Sequence, residues 1–193
     1  MTVDEVDVAN WRRAQQATGR LRAFNDAGVL ESADVLVAQR LTTLAGESDE
    51  AVALAVAFVS RAVRAGSVCV DITCLQDQID MPELDWPAPQ AWLEAVSTSP
   101  LLGAPPVLHL DEGLLYFDRY WLEECEVVRD VRALAAAPRA GELPDIARLF
   151  PAGFDEQRQG AEVALSRGLT VLTGGPGTGK TTTVARLLAL LAE

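Results

Sequence analysis

The stretch Leu169-Thr170-Val171-Leu172-Thr173-Gly174-Gly175-Pro176-Gly177-Thr178-Gly179-Lys180-Thr181 links a short β-branched run to a glycine-rich turn, and Val184 to Ala192 follow as a second apolar run. Its core has the form G-x-x-x-x-G-K-[ST], a nucleotide-binding P-loop. The glycines let the backbone form a concave nest whose N–H groups face a phosphate that any side chain would obstruct. Lys180 supplies a point charge for the β- and γ-phosphates, and the Thr181 hydroxyl ligates Mg²⁺. The motif carries meaning only between a strand and a helix. Leu169 to Thr173, bounded by Gly168 and Gly174, predicts the strand, buried and parallel, and the helix follows at once.

Lys180 is the only lysine; the other 15 of the 16 basic side chains are arginines. A compact ammonium on a flexible stem fits between phosphate oxygens where a planar guanidinium does not.

With 193 residues, 49% of them hydrophobic, the chain has room for one large or two small domains and ample material for a core. Its longest apolar run, Ala51 to Val59, is far shorter than a membrane span and is closed by Ser60 and Arg61. The N-terminus is acidic where a secretory signal is basic, so a cytoplasmic protein is expected. A net charge of −12 lacks the positive excess of a self-sufficient nucleic-acid binder. If the parent protein handles DNA, its main phosphate contacts are expected outside this chain. Cys69, Cys74 and Cys125 contain no C-x-x-C pair and read as buried thiols. The single histidine, His109, lies in an apolar stretch and reads as structural.

Working back from the P-loop, Phe154-Asp155-Glu156-Gln157 opens a helix through Leu165, preceded by a small turn from Pro144 to Phe150. Gln157 stands 17 positions before Gly174. It is either an ordinary surface glutamine or an amide that reads the N6/N7 edge of adenine. Ala137 to Glu142 reads as a linker. A helix to about Ala136 brings Leu122, Cys125, Val128, Val131, Arg132 and Leu134 near one another. Before it, Val107 to Leu110 and Leu114 to Phe117 flank Asp111-Glu112-Gly113 as a β-hairpin. Gln90 to Val96 is a short helix, and Gln76 to Pro89 a loop in which Trp86 either caps its own core or docks on a partner. Ser67 to Ile72 reads as extended. Three helices are predicted upstream: Trp11 to Phe24, with Ala14, Ala17 and Leu21 inward; Ala33 to Leu44, capped by Ser32, with Val35, Leu36, Leu41 and Leu44 inward; and Glu50 to Arg64, capped by Ser48. The third is apolar almost all round and is expected at the centre of a small helical domain.

Val171-Leu172-Thr173-Gly174-Gly175-Pro176-Gly177-Thr178-Gly179-Lys180-Thr181-Thr182-Thr183-Val184 resembles motif I of the RecD-type superfamily 1 helicases. Phe154 to Gln157, with Ala161-Glu162-Val163-Ala164-Leu165, is similar to that family's Q motif and its helix. Val59 to Cys69 and Leu114 to Trp121 carry the likeness upstream. The resemblance implies an α/β architecture: a mainly α-helical partner-docking domain over residues 1–105, a β-hairpin, helix and linker over 106–142, and the start of a RecA-like ATPase domain over 143–193. It implies an ATP-dependent 5′-to-3′ DNA helicase subunit in double-strand break repair, partnered by RecC and RecB in a heterotrimeric helicase–nuclease. ATP and Mg²⁺ are the implied cofactors. Gly174, Gly175, Pro176, Gly177, Thr178, Gly179, Lys180, Thr181 and Thr182 would hold the phosphates, and Gln157 would contact adenine.

Hydrolysis further requires Walker B carboxylates and an arginine finger, which this chain does not supply. The chain is therefore expected to correspond to the N-terminal portion of such a subunit, inactive in hydrolysis by itself, with the segment from about residue 166 poorly supported. Two other readings are a partner-docking fragment without ATPase activity and an unrelated P-loop NTPase of the AAA type.

Overall fold

A helix that is apolar almost all round has to be covered over most of its surface, and the N-terminal unit is built around one. The computed structural model describes residues 13–137 and 145–192, which fall into two units divided between Glu123 and Glu124. In the first, α1 (Gly19–Asp26), α2 (Ser32–Ala45), α3 (Glu50–Arg64), β1 (Cys69–Asp71), α4 (Leu75–Gln78), α5 (Pro89–Ser97), β2 (Leu108–Asp111) and β3 (Leu114–Phe117) follow in order. The helix α6 (Asp118–Ala136) runs out of this unit; α7 (Asp155–Ser166) and α8 (Lys180–Leu191) belong to the second.

Ala51, Val52 and every residue from Leu54 to Val59 are buried, which makes α3 the centre of the core as its composition predicts. The Asp49 carboxylate, not Ser48, caps it by accepting from Ala51 N at 2.7 Å. Asp49 is the residue whose backbone stays extended where the helix begins, so its side chain reaches the free N–H groups. Arg61 and Arg64 in the last turn complement the helix dipole. Phe24, Trp86 and Trp92 surround Phe58 with ring centroids 5.7, 5.5 and 6.1 Å away. The Trp92 indole donates to Ala51 O at 2.7 Å, so the largest buried side chain also leaves no polar atom unpaired. Trp86 donates to Met81 O at 3.0 Å and caps its own core.

Three helix predictions need correction. The first helix starts at Gly19 rather than near Trp11, because Thr18 is extended and the chain before it is tied to Asn25, whose side chain accepts from Ala14 N and donates to Leu30 O, both at 2.8 Å. Trp11 itself lies outside the described residues. Ser32 is the first residue of α2, and the reciprocal cap is made by Glu31 and Asp34. On α2 the inward positions are Asp34, Val35, Ala38 and Thr42; Leu36 and Leu44 face outward, 55% and 66% exposed. At about 3.6 residues per turn, the stripe through Asp34, Val35, Ala38 and Thr42 turns Leu36 and Leu44 away from the inner face. Asp34 is paid for by four donors: Glu31 N at 2.9 Å, Ser60 Oγ at 3.1 Å, and Arg64 through Nη2 at 2.9 Å and Nε at 3.4 Å. The Asp34 hydrogen bond holds the Arg64 guanidinium above its ordinary pKa.

The predicted hairpin forms, with Glu112 and Gly113 at φ 48° and 89° in its turn, the left-handed pair that suits the strand twist. No local sequence signal announced its second partner. β1 pairs antiparallel with β3 (Cys69 opposite Tyr116, Asp71 opposite Leu114), giving the order β1-β3-β2. Leu108 and Leu115 enter the helical core. On the other face, His109 opposite Tyr116 stacks on Trp121 at 5.5 Å, and its Nε2 meets Asp118 Oδ1 at 2.6 Å. His109 is thus a structural tie between the hairpin and α6.

Along α6 no residue is buried; Leu122, Val128, Val131 and Leu134 are exposed, as is Cys125. The helix is present, but the described residues provide no cover for its apolar positions. Cys69 and Cys74 are half-buried, so the expectation of buried thiols is corrected for all three cysteines. Of the linker from Ala137 to Glu142, all but Ala137 lies outside the described residues, as does Pro144. In the second unit, Ile146, Phe150, Ala161, Leu165 and Leu190 form a small core of their own. The strand expected at Leu169 to Thr173 does not form. A strand exists by pairing, and no described strand lies beside this one: Val171 is 78% exposed and Thr170 Oγ1 is buried without a partner among the described residues. No described helix is long and apolar enough to cross a membrane.

Asp34→Ala is expected to destabilise the N-terminal unit by about 2 kcal/mol in urea unfolding, because Arg64, Ser60 and the Glu31 amide lose a buried acceptor. The figure is moderate because the Arg64 side chain keeps 40% of its surface open and can rehydrate. Glu47 links the start of α3 to the turn after α5. Burial alone would raise its pKa, but the Ser99 hydroxyl (2.6 Å) and the amides of Asp49 and Ser48 outweigh that and hold it below the ordinary value. A lowered folded-state pKa gives stability that is complete above the unfolded value and lost as pH falls through the folded one. Glu47→Gln should therefore be less stable than the parent at neutral pH, with the gap in unfolding midpoint closing as pH drops below 4.5.

Candidate nucleotide-binding site

The second unit turns from loop to helix at Gly179, the N-cap of α8, with φ 80° and ψ 17°. That left-handed conformation costs other residues about 1–2 kcal/mol. Without a side chain, Gly179 offers no cap, and the first turn of α8 carries no acid. Its free N–H groups and the positive end of the helix dipole are therefore left to attract an anion.

Lys180, the first residue of α8, folds back over the loop and donates to Gly174 O and Gly175 O, both at 2.6 Å. The loop's own carbonyls thus hold the ammonium at its mouth. Thr178 Oγ1 donates to Gly175 O at 2.9 Å, closing the turn from the other side. A Cβ on Gly174 would lie 2.8 Å from Thr178 Oγ1, so any larger residue there has to shift that hydroxyl.

A cavity of about 150 Å³ lies inside this turn, lined by Glu156, Gln157, Leu172, Thr173, Gly174, Thr178, Lys180 and Thr183. Of the expected site residues, Gly174, Thr178, Lys180 and Gln157 line it. Gly175, Pro176, Gly177, Gly179, Thr181 and Thr182 form the turn and the first helical residues without lining it. Gln157, far off in sequence, comes within reach: its Nε2 lies 3.5 Å from Thr178 O, a long contact at best. The volume is below the roughly 300–1,000 Å³ of small-molecule pockets, and suits the phosphate end of a nucleotide rather than the whole. An uncapped helix start, a cradle that a Cβ would fill and one ammonium together fit a phosphate group. The exposed Thr181 in the first turn has the hydroxyl that Mg²⁺ would need.

The residue-level reading missed Thr183, Glu156, Leu172 and Thr173. Thr183 is buried, and its hydroxyl and amide both donate to Gly179 O, at 3.1 and 2.9 Å. Its position four residues after Gly179 could have flagged it, since a helical threonine bonds back one turn. Glu156 is marked only by its place in the Phe154 to Gln157 stretch, with no role given to it there.

Residues 26–116 match the family described as "RecBCD enzyme subunit RecD, N-terminal domain", and residues 157–193 match the start of an AAA domain. The chain matches the N-terminal part of RecD. The RecBCD enzyme subunit RecD of Mycobacterium tuberculosis is 64% identical over 181 residues, 93% of this chain and 32% of the relative. That of Mycolicibacterium smegmatis is 65% identical over 173 residues, 90% of this chain and 31% of the relative. A more distant RecD, from Haemophilus influenzae, is 30% identical over 122 residues, 58% of this chain and 19% of the relative. The chain spans about a third of the length of the two mycobacterial relatives. The matched residues 26–116 run from α2 to Tyr116, which pairs with Cys69, so the match takes in the sheet along with α2 to α5.

Gly174→Ala should force Thr178 away from Gly175 O and so weaken phosphate binding. The expected result is lower affinity for inorganic tripolyphosphate by calorimetry, with the thermal midpoint of the N-terminal unit unchanged.

Proposed function

We propose that the chain is the N-terminal part of an ATP-dependent 5′-to-3′ DNA helicase subunit, a RecD working with RecB and RecC in double-strand break repair in the cytoplasm. The observation that carries this is the chain's only lysine, seated at the start of α8 over a glycine cradle, in a chain whose remaining length matches RecD. Lys180 would hold the β- and γ-phosphates, with the amides of Gly177 to Gly179 facing the phosphates. Thr181 would ligate Mg²⁺, and Gln157 would contact adenine. When bound, the metal would neutralise charge on the phosphates; the chain's own part is to bind and orient them. Residues 1–105 would dock on RecC, with the hairpin region of 106–142 leading into the ATPase domain that begins at about 143. DNA would be held mainly by the rest of the complex, since this chain's charge is −12.

A second reading, docking without ATPase activity, is favoured by the outward leucines of α2. The two separate in one experiment. Mg²⁺-dependent ATP binding by the chain should be abolished by Lys180→Ala, while capture of purified RecC should survive that change and fail when residues 1–105 are removed. ATP binding that persists in Lys180→Ala would defeat the P-loop assignment; RecC capture with no ATP binding at all would leave docking as the function.

A further inference from the structure

We infer that Arg186 is a positioning residue for adenine recognition, clamping Phe154 so that Gln157 is held at the rim of the P-loop; this rests on the nucleotide-binding reading above. The guanidinium lies 4.8 Å from the Phe154 ring centroid and 5.5 Å from that of Phe150. Both distances are within the range over which an aromatic face attracts a cation. Phe150 is fully buried in the second core, whereas Phe154 is 39% exposed and is not part of that core. Arg186 therefore bridges a ring fixed in the core and a ring at its edge.

Phe154 is the N-cap of α7 and makes no side-chain cap bond. Gln157 lies three residues on, on the same side of the first turn. The direct link from Gln157 to the loop is the 3.5 Å approach to Thr178 O, too long to fix where an amide points. On α8, Arg186 lies one turn beyond Thr183, whose hydroxyl is bonded to Gly179 O at the base of the loop. The path from loop to amide thus runs through Thr183, α8, Arg186, Phe154 and the first turn of α7. Leu190 anchors the far end of α8 in the core. Arg186, at the middle of α8, ties the helix to the start of α7, the element that carries Gln157.

The test is competition of ATP, GTP and inorganic tripolyphosphate for a fluorescent nucleotide bound to the full chain. Arg186→Met keeps a long apolar stem but removes the cation. It should lower the preference for ATP over GTP about fivefold, leaving tripolyphosphate affinity and melting temperature unchanged. Phe154→Leu should do the same, the double variant should be no worse than either, and Arg186→Lys should restore most of the preference. Unchanged ATP-over-GTP preference in both Arg186→Met and Phe154→Leu would overturn the inference, as would an equal loss of all three ligands or a parent chain with no preference to lose. Tripolyphosphate binding that survives Lys180→Ala would instead bring down the site assignment beneath it.

Discussion

The need to cover most of α3 governs the N-terminal unit. Nine consecutive apolar residues give α3 little polar face to offer to water, and burying each of its Val, Leu and Phe side chains stabilises by about 1.5–3 kcal/mol. α1 and α2 cover one side, α5 with its tryptophan another, and the sheet a third. The sheet's order follows from the same need. β1 leaves α3 after Gly66 and pairs with β3, bringing Leu108 and Leu115 of the hairpin against the helix.

Polar groups settle what apolar packing leaves open. Asp34 is wholly buried, yet each of its oxygens is used, and through Ser60 and Arg64 it fixes how α2 lies on α3. A buried carboxylate is tolerated only with such partners. Glu47 and Asn25 act likewise at turns: one joins the start of α3 to Ser99, the other joins the chain before α1 to the chain after it.

The P-loop unit is organised differently. Its core is five buried side chains, and its loop is held largely by hydrogen bonds within itself, those of Lys180, Thr178 and Thr183. The geometry needed to receive phosphate is local, arising from glycine conformations and a helix start. Where α7 lies against α8 is not local: Ala161 and Leu165 meet Leu190 in the core, and Arg186 adds its approach to the Phe150 and Phe154 rings.

The sequence by itself determined whatever depends on neighbours along the chain. The P-loop with its lysine, the apolar helix at residues 50–64, the hairpin around Glu112-Gly113 and the short helix after Pro89 all follow from spacing, turn residues and caps. Motif resemblance carried the family likeness equally far, since motifs are local too. Only the tertiary structure decided that β1 joins the hairpin, that α2 turns Asp34 rather than Leu36 and Leu44 toward the core, and that Asp49 does the capping expected of Ser48. It also decided that Leu169 to Thr173 forms no strand despite strand-like residues. Pairing is a property of two segments, and periodicity in one of them cannot supply the other.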